Sequence, residues 1–342
     1  MRFFNIDVHV SVIKDIETIF RSFGHKIDSL SLSSHSWVFG EEAKRPEIIT
    51  SDNWKMIDDD MVDRFYDFYK GKLDDYDGFV VTYPPVFSKL YERFNKPIIV
   101  VCATRYEFPY TNDVDKWKDF NAYLENNKNI ILVSNNLFDK KYTELFVNRE
   151  VKLIESLCSY TNFNYAPTKK ESVLYSKVHT PPVEGLVNKS MLGRVSWQEL
   201  FSYKSIVHIP YNASTMSIFE QYYANVPIIF PSIDLASKLL RQNVPIFSEI
   251  SFRQILSLRP DSLFNNEKDI NDYKNMDNVI EWIKLSDFYR FPHITYFDSF
   301  EELKYRINED YSFLSLEMKD YNLSRQSQIY QDWREILDGL KS

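Results

Sequence analysis

Residues Val195–Ser232 read VSWQELFSYKSIVHIPYNASTMSIFEQYYANVPIIFPS. The pattern predicts a helix over Ser196–Tyr203, a strand over Ser205–Ile209, a loop over Pro210–Ser214, a helix over Thr215–Ala224 and a strand over Pro227–Phe230. The apolar run before Pro210 suits a strand buried on both faces. Ser214 or Thr215 is placed to cap the helix that follows. Free amides at such a helix start, together with the positive end of its dipole, make a site for an anion. Glu220 lies about one turn further on. In an open α/β sheet the end of a strand is where ligands bind, so Tyr211, Asn212, Ser214, Thr215, Met216 and Ser217 become candidate binding residues beside Glu220.

The first half of the chain repeats this alternation. Met1–Ile6, Lys26–Leu32, Gly78–Thr82, Pro97–Ala103 and Asn129–Ser134 read as strands. Ile13, Ile16, Phe20 and Phe23 fall at helical spacing, with Gly24 where a C-cap belongs. Met61–Tyr69, Phe87–Phe94 and Trp117–Asn126 complete a βαβα succession, which predicts a parallel, doubly wound sheet. A polar stretch over Ser159–Lys170, broken by Pro167, separates this half from a second set of elements that opens with a strand over Ser172–Tyr175. The expected organisation is an N-terminal Rossmann-like domain over 1–160, a second over 170–320, and a C-terminal helix over 321–342. Ile329, Trp333, Ile336, Leu337 and Leu340 share one face of that helix, so it must dock on something.

A chain of 342 residues suits two domains, and 44% hydrophobic with 26% charged residues is ordinary for a globular protein. Lys+Arg number 41 against 49 Asp+Glu, a net charge of −8, and no basic face emerges for nucleic acid. An acidic balance still allows a nucleotide ligand, since one diphosphate needs only a local cluster of donors. Cys102 and Cys158 form neither a disulfide framework nor a metal motif, which points to a reducing compartment. The opening MRFFNIDVHV carries Arg2, Asp7 and His9, so no signal peptide is read there. The longest apolar run, Pro97–Ala103, falls far short of the roughly 20 residues of a membrane span. A cytoplasmic chain without a transmembrane segment is expected.

Glu199-Leu200, Tyr203, the loop Pro210–Thr215, Phe219-Glu220 and Asn225-Val226-Pro227-Ile228-Ile229 together resemble the donor-binding segment of GT-B glycosyltransferases, especially the group-one family. The resemblance implies two Rossmann-like domains facing a cleft, an acceptor side in the first half and a nucleotide-diphosphate sugar in the second. It implies that Glu220 accepts hydrogen bonds from the ribose, that the backbone at Thr215–Ser217 meets the diphosphate, and that the C-terminal helix crosses back to the first domain. No separate cofactor is implied; the donor is a substrate and the acceptor a glycan or another hydroxyl compound. Two positions depart from the family pattern. Retaining members carry a second Glu where Asn212 stands, and their usual Gly before Val-Pro is Asn225, which tolerates a left-handed backbone.

In many inverting enzymes of this type the base is a His after the first strand, oriented by a carboxylate. Asp7 and His9 fit that location, and an i, i+2 spacing puts both on one face of an extended segment. An imidazole near its usual pKa suits deprotonation of a hydroxyl. His35 and Glu107 are further acid–base candidates, and Arg105 is a candidate for binding a phosphate or an acidic sugar. Trp37, Tyr106 and Tyr110 could stack on acceptor rings, although core packing is the default in so aromatic a chain. Lys177, Lys189 and Arg194 are candidates for neutralising the leaving diphosphate.

Asp58-Asp59-Asp60 imitates a metal-binding Asp-x-Asp, but it precedes a helix pattern instead of ending a strand, so an acidic helix start is expected and no metal site. The six His lack ligand spacing, and no phosphate-loop or nucleophile-elbow motif is present. Two rival functions remain at this level: a nucleotide-sugar epimerase of the same architecture, which needs additional paired carboxylates, and a non-catalytic sugar-binding or scaffold protein.

Overall fold

The computed structural model describes residues 1–40, 42, 44–250 and 275–341. The chain forms two compact units, the first holding Met1–Ser156 and the residues from Tyr330 on, the second running from Leu157 to Ile329. Residues 251–274 of the expected second domain lie outside the described residues.

The first unit is built on β1 (Arg2–Asp7), β2 (Lys26–Ser31), β3 (Gly78–Val81), β4 (Ile98–Cys102), β5 (Ile130–Ser134) and β6 (Lys152–Leu153), in the spatial order β2-β1-β3-β4-β5-β6. Every pairing is parallel. Helices α1 (Val10–Ser22), α2 (Asp59–Tyr69), α3 (Val114–Asn126) and α4 (Leu137–Phe146) connect or flank them, and a 3₁₀ stretch, Pro85–Phe94, stands where an α-helix was expected. The periodicity of α1 is explained by burial of Val12, Ile13, Ile16, Ile19 and Phe20, with Phe20 set edge-on to Phe3 at 5.4 Å. Gly24, at φ 77, ends the turn after α1. At Gly78 the constraint is space, since a Cβ would come within 2.7 Å of the Pro97 carbonyl oxygen. Asp58 caps α2 by accepting from the Met61 amide at 2.9 Å, so the acidic run acts as a helix start.

The second unit contains β7 (Ser172–Tyr175), β8 (Leu186–Asn188), β9 (Ile206–His208), β10 (Ile228–Pro231) and β11 (Thr295–Phe297), ordered β11-β10-β9-β7-β8 and again parallel throughout. Its helices are α5 (Trp197–Leu200), α6 (Met216–Tyr223), α7 (Ile233–Arg241), α8 (Met276–Ile283), α9 (Asp287–Arg290), α10 (Phe300–Arg306) and the beginning of α11 (Ser312–Gly339). Counted within each unit, both sheets place the second strand outside the first and the third on its other side. This is the doubly wound order whose direction reverses between first and third strands, and ligands bind at that reversal. The fold class is therefore α/β with two Rossmann-like parallel sheets, as the alternation of the sequence predicts. The reversal points are the ends of β1 and β3 in one unit and of β7 and β9 in the other.

Helix α11 contributes to both units. Its residues from Tyr330 pack within the first, where Trp333 meets Phe20 at 5.3 Å and Tyr330 meets Phe23 at 5.3 Å. Ile329, Trp333, Ile336 and Leu337 are buried, as their shared face requires, and Leu340 is half-buried. Among the described residues no helix is long and apolar enough to cross a membrane. Cys102 and Cys158 are both free and buried, and burial pushes the Cys102 thiol up to about 12.

Candidate functional site

In the second unit the chain leaves β9 at His208, passes Pro210 and enters α6 at Met216. Thr215 stands at the N-cap position in an extended conformation, but its side chain makes no capping bond and instead meets the Ser217 hydroxyl at 2.9 Å. The first amides of α6 are thus not taken up by the residue best placed to cap them. Met216 and Ser217 are half-buried at this helix start.

Glu220, one turn in, is half-buried and held at both oxygens. The Tyr160 hydroxyl donates to Oε1 at 2.6 Å, and the Trp197 indole donates to Oε2 at 3.3 Å. The two rings stand against each other with centroids 5.6 Å apart. A carboxylate fixed in this way keeps acceptor capacity, because each oxygen can take more than one hydrogen bond. Neither clamping residue was singled out by the sequence reading. Tyr160 lies in the stretch taken as interdomain linker, and Trp197 belongs to a short helix whose register gives no hint of its partner.

Other predicted members of this segment serve structure. Ser214 donates to Oδ2 of the fully buried Asp287 at 2.5 Å, and Ser286 donates to the Ala213 carbonyl at 2.5 Å, so the loop is tied to α9. Asn212 turns its Oδ1 onto the Ala213 amide at 2.8 Å. Lys177, expected at a phosphate, pairs with Glu249 at 2.5 Å and lies 3.7 Å from the centre of the Tyr211 ring. Tyr211 is half-buried, and burial followed by the charge of Glu249 raises its pKa. Arg194 is exposed ahead of α5, while the neighbouring Lys189 donates to the Gly193 carbonyl at 3.2 Å.

His208, at the end of β9, is buried, with Nε2 2.7 Å from Gln221 Oε1 and its ring stacked on Tyr175 at 4.9 Å. Burial lowers its pKa to about 4, so it is neutral near pH 7. The bond to Gln221 requires the proton on Nε2. It supports the strand end from within the core.

In the first unit Asp7 ends β1 and is fully buried. One oxygen accepts from the Ser31 hydroxyl at 2.7 Å. Burial raises its pKa to about 7, opposed by the bonds from Ser31 and from the backbone of His9. The expected carboxylate-to-imidazole bond does not form. The strand stops at Asp7 and α1 begins at Val10, so the i, i+2 rule for extended chain no longer governs His9. His9 keeps accessible surface just ahead of α1, but the protein packed around its ring desolvates it, and this, followed by His35, lowers its pKa. His35 is exposed as well.

After β4, Arg105 is half-buried at φ 39, and its Nε is buried without a hydrogen-bond partner among the described residues. Glu107 is fully buried; its charge adds to burial in raising the Tyr142 hydroxyl well above its ordinary range. That burial removes Glu107 from any loop surface. Asp139, also buried, has its pKa raised to about 6 by desolvation and held down by Asn136 and then Arg105. Tyr106 and Tyr110 pack in the core, and Trp37 is exposed. The structure thus gathers Thr215, Met216, Ser217 and Glu220 at one helix start, sets Lys177 against Tyr211 and Glu249, and buries Glu107 within the first unit.

No family model and no curated protein matches the chain. Among solved structures it is similar to the glycosyltransferase of kitacinnamycin, with 12% identity and a TM-score of 0.38 over 94% of this chain and 95% of that one. It is similar also to the glycosyltransferase SnogD from Streptomyces nogalater, with 9% identity and a TM-score of 0.38 over 94% of this chain and 99% of that one.

Proposed function

We propose that the protein is a glycosyltransferase that moves a sugar from a nucleotide-diphosphate sugar to a hydroxyl acceptor. The observation that carries this reading is Glu220, half-buried and clamped by Tyr160 and Trp197 within the first turns of α6. A strand end at the sheet's reversal, a helix start not capped by its own N-cap side chain and a fixed carboxylate suit a sugar nucleotide. The amides at Met216 and Ser217 would meet the diphosphate, and Glu220 would accept from the ribose hydroxyls.

In this reading the first unit serves the acceptor. His9, exposed and with a lowered pKa, would accept the acceptor's hydroxyl proton. The acceptor oxygen then bonds to the anomeric carbon as that carbon's bond to the diphosphate oxygen breaks, and the nucleotide diphosphate leaves with the bonding pair. Asp7 would act as a positioning residue, holding the start of α1 through the backbone of His9. Lys177 and Arg194 would need to turn from their present surroundings to neutralise the leaving group.

A second reading, a sugar-nucleotide-binding protein without turnover, is favoured by the missing Asp7–His9 ring bond and by the pairing of Lys177 with Glu249. Thermal shift and donor hydrolysis with UDP-, GDP- and dTDP-sugars test both. Stabilisation with slow hydrolysis supports a transferase, stabilisation without any turnover supports the second reading, and no shift with any nucleotide removes both.

A further inference from the structure

The carboxyl ends of β1, β3 and β4 lie where the first sheet reverses direction. The Val8 amide, just past β1, donates to the Tyr83 carbonyl at 2.9 Å, and Tyr83 itself follows β3 by two residues. Three residues past β4 stands Arg105, whose φ of 39 lies in the left-handed region. A residue other than glycine keeps such a backbone only where its surroundings fix it, and these positions gather at ligand sites. Here the fixing group is the buried Asp139. It accepts from the Arg105 main-chain amide and, at 2.6 Å, from the Asn136 side-chain amide. Asp139 therefore holds the loop, and among the described residues no carboxylate pairs with the guanidinium.

The Arg105 Nε is sealed in the protein without a hydrogen-bond partner among the described residues. The two terminal nitrogens have none either, but they are not sealed and meet solvent. Next to this head group the Phe108 amide turns back onto the Arg105 carbonyl at 3.0 Å, and the Phe108 ring stacks on Tyr83 with centroids 6.0 Å apart. Trp54 stands 5.5 Å from Phe108 on its other side. All three rings are half-buried and keep apolar surface open. The charge of Arg105 reaches the Tyr83 phenol, whose pKa burial raises and Arg105 holds back. At the far end of the strip Lys55 is exposed and has no ion pair among the described residues. It lies 5.8 Å from the centre of the Phe108 ring and 5.4 Å from that of Trp54. The acids whose charge is felt here, Asp139 and Glu107, are both buried. In a chain of net charge −8, two cations without carboxylate partners thus bracket a row of aromatic rings.

A neutral sugar would use the rings and leave both cations unanswered. A bare inorganic anion would answer the cations and leave the rings unused. We propose that the acceptor is an acidic sugar, a sugar acid or a sugar phosphate, and that this strip is where it binds. Its carboxylate or phosphate meets the terminal nitrogens of Arg105, whose planar fork matches either group. Its carbon skeleton lies against Tyr83 and Phe108, and Lys55 adds attraction from the far end. That the ligand is an acceptor rests on the transferase reading; that it is an acidic sugar rests on the strip alone.

Titration calorimetry on the full chain, with no nucleotide present, compares D-glucuronate and D-glucose 6-phosphate with D-glucose and inorganic phosphate. At least one acidic sugar is expected to bind roughly tenfold more tightly than both controls, and Arg105→Gln to weaken it about tenfold, to the level of D-glucose. Lys55→Met, a surface change, is expected to weaken it about two- to fivefold at low salt. That second variant decides the matter should Arg105→Gln fail to fold. Acidic sugars no tighter than either control overturn the proposal, as does unchanged binding in a folded Arg105→Gln or, failing that variant, in Lys55→Met. Displacement of the acidic sugar by UDP or GDP, lost in Arg105→Gln, would also overturn it, since the anion would then be the donor's diphosphate. Adding sugar nucleotides separates the two readings. Acidic sugars that bind while no sugar nucleotide does would sink the transferase reading and leave the anion strip standing. Transfer to neutral sugars with acidic ones ignored would sink the strip and leave the transferase.

Discussion

Tyr160 and Glu220, sixty positions apart in the chain, meet in a hydrogen bond of 2.6 Å from the phenol to Oε1. The bond joins the short 3₁₀ turn Ser159–Thr161 to α6, and the Trp197 indole closes on the other oxygen. Glu220 is thereby fixed before any ligand arrives, which lowers the ordering cost of binding.

Removing the charge at this point is expected to weaken donor binding. A hydrogen bond to a charged group contributes about 1.5–3 kcal/mol, so Glu220→Gln should raise the dissociation constant for a sugar nucleotide roughly 10- to 100-fold. Tyr160→Phe leaves the carboxylate in place but less constrained, and should cost roughly tenfold or less. Isothermal titration of both variants against the wild type reads the difference. Equal affinity in Glu220→Gln would take away the observation on which the transferase reading stands.

Ser214 is expected to matter for stability more than for ligand binding. Ser214→Ala removes a donor from the fully buried Asp287 carboxylate, and about 1–3 kcal/mol of unfolding free energy should be lost. Urea unfolding of the variant measures this, and an unchanged midpoint would contradict it.

The carboxyl of Asp7 predicts a pH dependence of definite sign. Its pKa is about 7 in the fold, against about 3.9 in an unfolded chain. Between these values the folded state holds the extra proton, so the contribution of Asp7 to stability falls as pH rises from about 4 to about 7 and is level above that. His208 acts oppositely over much of the window, because the unfolded chain takes the proton that the buried imidazole refuses. The wild type minus Asp7→Asn difference in unfolding free energy isolates the first effect. It should decline with pH across this window by at most about 1.4 kcal/mol per unit, and a flat or rising difference would refute the assignment.

Gly78 offers a test of packing at the heart of the first sheet. Gly78→Ala forces a methyl group against the Pro97 carbonyl, 2.7 Å from the ideal Cβ position, and should destabilise by about 1–3 kcal/mol in a denaturant melt. A variant as stable as the wild type would mean that β3 and the residues before β4 can part without strain.

The alternation of apolar runs with helical periods made β1–β5, β7, β9 and β10 legible, because strands buried on two faces, such as GFVV and IIVVC, have no polar alternative, whereas the short outer strands β6, β8 and β11 carry no such run and were not read. Asn225 was legible in part: the left-handed backbone that an asparagine at this position tolerates is present, at φ 62. The partners of charged side chains were not legible. Lys177 finds Glu249 and Ser214 finds Asp287, each more than seventy residues away, and no local pattern encodes such a pairing. His9 was misplaced in relation to Asp7 because strand periodicity was carried past the residue at which the strand stops.

The same Asn225 has a mechanical role. Its side-chain oxygen accepts from Asn322 Nδ2 at 2.9 Å, that amide also reaches the Tyr222 carbonyl at 2.7 Å, and Ser315 donates to the Asn225 carbonyl at 2.7 Å. Where a glycine would merely permit the bend from α6 into β10, asparagine rivets it to α11. That long helix is thus a splint for the bend behind Glu220, and loosening it would slacken the carboxylate's footing from the rear with every residue of the clamp still in place.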